Sequence, residues 1–142
     1  MWQRIQTLYL ALATALLSSM YFCKFATIVG PEGSELNIMY WEKIPYLVLL
    51  TLCAAGNLFS LFAFKIRMPQ MRVATASAIL LLAFQCWIVV DFASLWNEMT
   101  FSVTALFPLV AAILDILAAR SILLDEAMVQ SSARLRASRR KR

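Results

Sequence analysis

The sequence predicts an all-α integral membrane protein, a bundle of four transmembrane helices with both termini in the cytoplasm. Of its 142 residues, 62% are hydrophobic and only 15% are charged, and its mean hydropathy is +0.75. Soluble domains are about half apolar and a quarter charged. So few polar side chains cannot cover a soluble core of this size, and lipid is therefore the expected solvent. No segment resembles a linker, so residues 1–142 are expected to form one membrane domain.

Four apolar runs are long enough to cross a bilayer, and they cover residues 5–23, 44–64, 73–96 and 101–119. About 20 helical residues cross a ~30 Å hydrocarbon layer, and a helix satisfies its own backbone hydrogen bonds in lipid. Pro45 falls in the first turn of the second run, where its missing N–H costs little. Pro108 lies inside the fourth run and is expected to bend it.

The first run follows Arg4 and resembles the apolar core of a signal peptide in that respect. It is longer than the roughly 7–15 residues of such a core, and no small-x-small cleavage site follows it. We therefore expect a retained helix.

The distribution of lysine and arginine predicts which loops face the cytoplasm. Eleven of these residues lie at the N-terminus, in loop 65–72 or in tail 120–142, whereas the other side has only Lys24 and Lys43. Lysine and arginine accumulate on the cytoplasmic side of membrane proteins. Both termini are therefore expected inside, with loop 24–43 outside.

The outer loop 24–43 contains two short runs of β-favouring residues, 25–29 and 36–41, on either side of Gly30-Pro31-Glu32-Gly33. This pattern predicts a short β-hairpin. The alternative is that residues 25–29 extend the first helix. Because a lone hairpin is only marginally stable in water, this one has to pack on the helices.

The basic tail, residues 120–142, begins with apolar residues at helical spacing, such as Leu124, Met128 and Leu135. The fourth helix is therefore expected to continue past the membrane. The simplest interpretation of the basic residues that follow is a solvated end that fixes orientation. Two alternatives are contact with anionic lipid headgroups and contact with RNA, such as that of a ribosome at the membrane. The tail has no aromatic residues to stack on bases, which disfavours RNA.

Rows of small residues at four-residue spacing predict close packing of helices. One row in the first run is Ala11, Ala15 and Ser19, and another in the third run is Ala74 and Ala78. Such rows serve either the fold itself or a partner helix.

Two cytoplasmic segments carry a resemblance to a known family. They are Gln3-Arg4-Ile5-Gln6 near the start, and Asp125-Glu126 followed by Ser131 and Arg134-Leu135-Arg136 near the end. In these segments and in its four-run layout the chain resembles small Bacteroidota membrane proteins grouped as domain of unknown function 4293. The resemblance implies a bacterial inner (cytoplasmic) membrane and no assigned activity. It also directs attention to the cytoplasmic face as a partner surface, with these candidate residues: Gln3, Arg4, Gln6, Arg120, Asp125, Glu126, Arg134 and Arg136.

Polar side chains within the apolar runs are the other candidates for function, because such groups are costly in lipid. They are Asn57, Gln85, Asp91 and Asp115. Asn57 and Gln85 are expected to form hydrogen bonds between helices. Asp91 lies near the outer end of its run.

Asp115 lies five residues before Arg120. The favoured interpretation is a structural ion pair, with Arg4 or Arg120 extending towards the carboxylate. The alternative is a proton or cation site.

The residue inventory disfavours catalysis. The chain has no histidine, only three glycines, and three cysteines without CxxC spacing. A zinc site, a Ser-His-Asp or Cys-His nucleophile and a glycine-rich phosphate loop are therefore not expected. We expect no enzyme activity and no cofactor, and the sequence identifies no small-molecule substrate. The predicted role is a small accessory or structural subunit of a larger inner-membrane complex. The alternative is a small oligomeric transporter or channel that uses Asp115 and Asp91.

Overall fold

The computed structural model describes the backbone of residues 2–140, and the side chains of that range except those of residues 2–4, 64, 67 and 140. The described part of the chain is mostly helical with one small sheet. The elements, in chain order, are α1 Trp2–Met20, β1 Lys24–Val29, β2 Glu35–Met39, α2 Ile44–Phe62, a 3₁₀ turn Ala63–Lys65, α3 Arg67–Leu95, β3 Thr100–Phe101, a 3₁₀ turn Val103–Leu106 and α4 Phe107–Arg140.

The four helices form an antiparallel bundle in which α1 and α3 each pack between α2 and α4. One core cluster contains Leu17, Leu50 and Ala111, and a second contains Leu10, Ala74 and Ala118. The sheet lies at one end of the bundle, here called the sheet end. The opposite end, where α2 turns into α3 and α4 continues, is called the tail end.

The face that α1 turns inward differs from the predicted one. Its buried stripe is Leu10, Ala13, Leu17 and Met20, whereas Ala15 of the predicted small row is exposed. Larger side chains fill the contact of α1 with its neighbours, so close approach of backbones is not required there. The small row on α3, Ala74 and Ala78, is buried as predicted.

Large apolar side chains cover the outside of the bundle. Leu52, Ile79 and Val90, on two different helices, are 52%, 62% and 62% exposed. Soluble monomers rarely expose contiguous apolar surface of this kind. Three helical segments, Ile44–Phe62, Met68–Leu95 and Val103–Arg139, are long and apolar enough to cross a membrane, and Ile5–Met20 is a shorter apolar helix. These features are typical of a membrane protein.

The boundaries of the fourth helix correct one prediction. Phe101 belongs to strand β3 and a 3₁₀ turn follows it, so α4 begins only at Phe107. Pro108 is therefore the second residue of α4, in the first turn, where proline is well tolerated. Pro45 lies at the start of α2, as predicted.

The predicted hairpin is confirmed, and it is part of a larger sheet. Strands β1 and β2 are antiparallel, and β3 pairs with the other edge of β1 through Ala26 and Phe101. The turn closes with a hydrogen bond from the Gly33 N–H to the Gly30 carbonyl, 3.0 Å. Gly33 has a φ of 74°, a conformation in which a side chain is strained. The third strand joins the two connections at the sheet end into one unit.

The sheet is packed on the bundle by aromatic residues. The buried ring of Phe25 lies with its centroid 5.4 Å from that of Tyr40, 4.9 Å from Tyr46 and 5.2 Å from Phe101. The hairpin is therefore stabilised by the helices, as a short sheet requires.

At the tail end, α4 continues well beyond the bundle. It has 34 residues, and a rise of 1.5 Å per residue gives a length of about 51 Å. Residues 127–139 are all exposed. The expectation that the fourth helix continues past the apolar run is confirmed.

Candidate functional site

The most unusual group of side chains lies inside the bundle and is centred on Asp115 of α4. Asp115 and Asn57 have no exposed surface, and Ser77 is 2% exposed. The Ser77 hydroxyl and the Asn57 amide face the carboxyl of Asp115. Within the described residues neither pair meets the distance and angle of a full hydrogen bond. Three helices therefore bring polar atoms together in the core without satisfying them.

Local packing explains how these side chains come together. Gly56 of α2 faces Ser77 of α3, and a Cβ at Gly56 would be in ordinary contact, 3.6 Å from the Ser77 Cβ and Oγ atoms. The next residue, Asn57, turns towards the core. Cys53, one helical turn before Asn57, is buried and lies near enough to Asp115 to interact with it electrostatically. On α4, Ala111, Ala112 and Ala118 flank Asp115 with small buried side chains.

The ion pair expected between Asp115 and Arg120 is not found among the described residues. The carboxyl oxygens of Asp115 are buried without a hydrogen-bond partner there, and Arg120 is exposed. Five residues along a helix rotate the side chain by about 140°, to a different face. The side chain of Arg4, the other expected partner, lies outside the described residues.

Asp91 of α3 has a different environment, close to the sheet end. It accepts a hydrogen bond from the Tyr46 hydroxyl, and the ammonium of Lys43 lies 3.5 Å from its Oδ2 atom. The same ammonium lies 5.2 Å from the centroid of the Phe25 ring and 5.3 Å from that of Tyr46. This carboxylate is therefore paired, and it fastens α3 to the start of α2.

Tyr40 completes the polar contacts beneath the sheet. Its hydroxyl donates to the Thr104 hydroxyl, 3.3 Å away, and Thr104 donates to the carbonyl of Lys24, 2.8 Å away. Burial raises the pKa of Tyr40 to about 12, because the phenolate loses its hydration. This chain of contacts holds the hairpin to the connection before α4.

Gln85 does not share the site of Asn57, although both were expected to form interhelical hydrogen bonds. Gln85 is eight residues after Ser77 on α3, which places it about 12 Å further towards the sheet end. It lines a groove of about 330 Å³ with Ile88, Phe101 and Leu106. Among the described residues, neither its Oε1 atom nor the Asn57 amide makes a full hydrogen bond.

The structure shows that some of the candidate cytoplasmic residues are buried and others are exposed. Gln6 is 6% exposed, so it lies within the bundle rather than on a surface open to a partner. The backbone of Gln3 and Arg4 belongs to α1, and their side chains lie outside the described residues. Asp125 and Glu126 are half-buried, while Arg120, Arg134 and Arg136 are exposed on α4. Asp125 takes part in a contact, and Glu126 accepts a hydrogen bond from Gln130, 3.4 Å away.

The oxygen atoms around Asp115 are the hard type that binds alkali and alkaline-earth cations. Within the described residues, no group of three or more His, Cys, Asp or Glu side chains is gathered that could hold a metal ion. The sequence reasoning missed Ser77, Lys43 and Tyr46. A serine inside an apolar helix gives no distinguishing signal, and the other two become informative only when the α2–α3 contact is known.

Comparison with known proteins gives one match. The family model described as Domain of unknown function (DUF4293) matches residues 2–135. No curated protein and no solved structure matches the chain.

Proposed function

The chain belongs to the family described as Domain of unknown function (DUF4293), and on that premise we propose from its own residues that it is a small accessory subunit of a larger membrane complex. We place it in the bacterial inner membrane with four spans and both ends in the cytoplasm. Eleven lysines and arginines against two support this orientation. Helix α1, with 19 residues, is about 28 Å long, close to the ~30 Å of the hydrocarbon layer, and we assign it the fourth crossing.

The observation that most directly supports this proposal is the exposed end of α4, residues 127–139, here called the stalk. It projects about 20 Å as a single helix, and each of its residues is exposed within the part of the chain that the structure describes. Short helices without tertiary contacts are only marginally stable in water. A second helix or a surface groove that packs along the stalk would stabilise it.

The composition of the stalk specifies the kind of partner. Met128, Val129 and Leu135 are 58%, 47% and 68% exposed, and Arg134, Arg136 and Arg139 are exposed as well. A protein surface with an apolar groove and acidic residues at its rim matches this combination. Binding of the basic residues to anionic lipids, or to ribosomal RNA, would require the charges but not the apolar side chains.

Crosslinking in cells tests this proposal. Wild-type protein is compared with a variant in which Arg134, Arg136 and Arg139 are all replaced by Gln, and with a matched control in which all three are replaced by Lys. The proposal expects defined membrane proteins to crosslink to the wild type and the Lys control, and to be lost from the Gln variant. It also expects Leu135→Ser to weaken the crosslinks.

Three outcomes contradict the proposal. Repeated recovery of the chain alone excludes a stable partner. Crosslinks that are equally strong in the Gln variant exclude the stalk as the docking element. The third outcome is binding that Leu135→Ser does not weaken and that anionic vesicles reproduce, or that occurs on ribosomes and is lost after nuclease treatment. That result would identify lipid or RNA, rather than a protein, as the partner of the stalk.

A second candidate function is a small oligomeric transporter or channel that uses Asp115 and Asp91. The observation in its favour is the fully buried carboxyl of Asp115. Against a shared path, Asp91 is held by Tyr46 and Lys43. This candidate expects Asp115→Asn to abolish ion flux into proteoliposomes, with Asp91→Asn also reducing it. Undiminished flux in Asp115→Asn would reject it. We propose no catalytic role.

A further inference from the structure

We propose that Asp115, Asn57 and Ser77 form a buried binding site for one sodium ion. The site differs from the stalk in position and chemistry. The inference requires binding only, so it holds whether or not the protein transports ions or docks on a partner.

The donors come from three helices and are unpartnered. Asp115 supplies two carboxyl oxygens, Asn57 its amide oxygen and Ser77 its hydroxyl oxygen, and these atoms are buried without a full hydrogen bond among the described residues. The Ser77 and Asn57 side chains face Asp115. Buried polar atoms are normally paired, so several unpaired oxygens around one buried carboxyl point to a ligand that they share. A cation satisfies all of these oxygens at once.

The charge of the site selects a monovalent cation. An ionised carboxylate in an apolar core is costly unless an opposite charge lies beside it. The one candidate arginine with a described side chain, Arg120, is exposed on a different face of α4. One Na⁺ beside Asp115 gives a neutral site, whereas a divalent ion would leave an uncompensated positive charge in the core.

The packing around the site favours a small ion. Small residues surround the donors: Gly56 faces Ser77, and Ala111 and Ala112 are fully buried near Asp115 on α4. Small residues let helices approach closely, which favours short distances between the donors. We therefore expect Na⁺ and Li⁺ to bind more tightly than K⁺.

Thermal unfolding of the purified full-length protein in detergent provides the test. Unfolding is followed in NaCl and in choline chloride at equal ionic strength and constant pH. A ligand that binds only the folded state shifts the folding equilibrium by about a hundredfold at 100 times its Kd. We expect Na⁺ to raise the Tm by several degrees in a saturable manner, with Li⁺ effective and K⁺ weaker.

Variants identify the site. Asp115→Asn, which keeps the shape of the side chain, is expected to abolish the Na⁺ response, and Ser77→Ala to raise the half-saturating concentration at least tenfold. Glu98→Gln is the control, because it removes an exposed carboxylate after α3 and should keep the full response. If Asp115→Asn fails to fold, Ser77→Ala compared with wild type decides the question by the same measurement.

A second readout is chemical. Carbodiimides that dissolve in the membrane modify buried, protonated carboxyl groups, so bound Na⁺ should protect Asp115 from labelling, as measured by mass spectrometry of the peptide. Equal Tm values in NaCl and choline chloride, or a Na⁺ response that persists in Asp115→Asn, would overturn the proposal. Either result would assign the cluster to a neutral carboxyl hydrogen-bonded within the core.

Discussion

Replacement of Phe25 by alanine tests how the sheet is held to the helices. Phe25 has no exposed surface, and its ring contacts those of Tyr40, Tyr46 and Phe101 with centroid distances of 5.4, 4.9 and 5.2 Å. Phe→Ala changes in cores cost about 3–5 kcal/mol, and each well-placed aromatic pair contributes about 0.5–1.5 kcal/mol beyond burial. We expect Phe25→Ala to lower the free energy of unfolding by about 4 kcal/mol.

The assay is equilibrium unfolding in detergent, followed by near-ultraviolet circular dichroism and tryptophan fluorescence. Trp41 lies two residues after the end of β2 and reports locally on the sheet end. Phe22→Ala is the matched control, because Phe22 lies three residues earlier and is 86% exposed. The control should change stability by less than about 0.5 kcal/mol. A loss below about 1 kcal/mol for Phe25→Ala, or equal losses for both variants, would refute the argument that this ring anchors the sheet.

Three further predictions concern the same end of the molecule and the α2–α3 contact. Tyr46→Phe removes the hydroxyl that donates to Asp91 and should cost about 1.5 kcal/mol in chemical unfolding; an unchanged midpoint would contradict this. Gly33→Ala places a side chain at a φ of 74° and should lower the free energy of unfolding by about 1–2 kcal/mol. Gly56→Ala, whose new Cβ would make ordinary contacts at 3.6 Å, should lower it by less than Tyr46→Phe or Gly33→Ala does. Burial raises the pKa of Tyr40 from 10.0 to about 12. Between pH 10 and pH 12 the folded state therefore keeps a proton that the unfolded state releases. The free energy of unfolding should fall there by up to about 1.4 kcal/mol per pH unit as the pH rises. Tyr40→Phe should lose that component, and an identical pH profile in the variant would contradict it.

The composition and turn chemistry predict much of the fold. The Gly30-Pro31-Glu32-Gly33 segment predicts the hairpin, because its residue types suit a tight turn. Strand β3 has only two residues, Thr100–Phe101, and its pairing with β1 joins distant parts of the chain, so no local pattern predicts it. The same strand displaces the start of α4, so Pro108 lies in the first turn of the helix rather than within it.

The helix faces show a second limit of sequence reasoning. Ala11, Ala15 and Ser19 suggest a packing row, but α1 packs with Leu10 and Leu17 instead. Where lipid and core are both apolar, hydrophobicity does not distinguish an inward face from an outward one. The helix orientation becomes known only with the positions of its neighbours.

The candidate site was predicted in part. Asp115 is identifiable from the sequence because a carboxylate within an apolar run is costly. The residues that surround Asp115 were not predicted. Arg120 is close along the chain but lies on another helix face. Ser77, 38 residues earlier in the chain, faces Asp115 instead. Prediction of such a site requires the pairing of helices, which spacing along one helix does not provide.

The central claim is that apolar helices lie in a membrane with the tail on the cytoplasmic side. Two single-cysteine variants test it, Ser138→Cys in the tail and Ser34→Cys in the hairpin, each in a protein whose three native cysteines have been replaced. Cells with a permeabilised outer membrane are labelled with a maleimide that does not cross the inner membrane. The account predicts rapid labelling at position 34, and labelling at position 138 only after the inner membrane is disrupted. Labelling of position 138 before that disruption would contradict it.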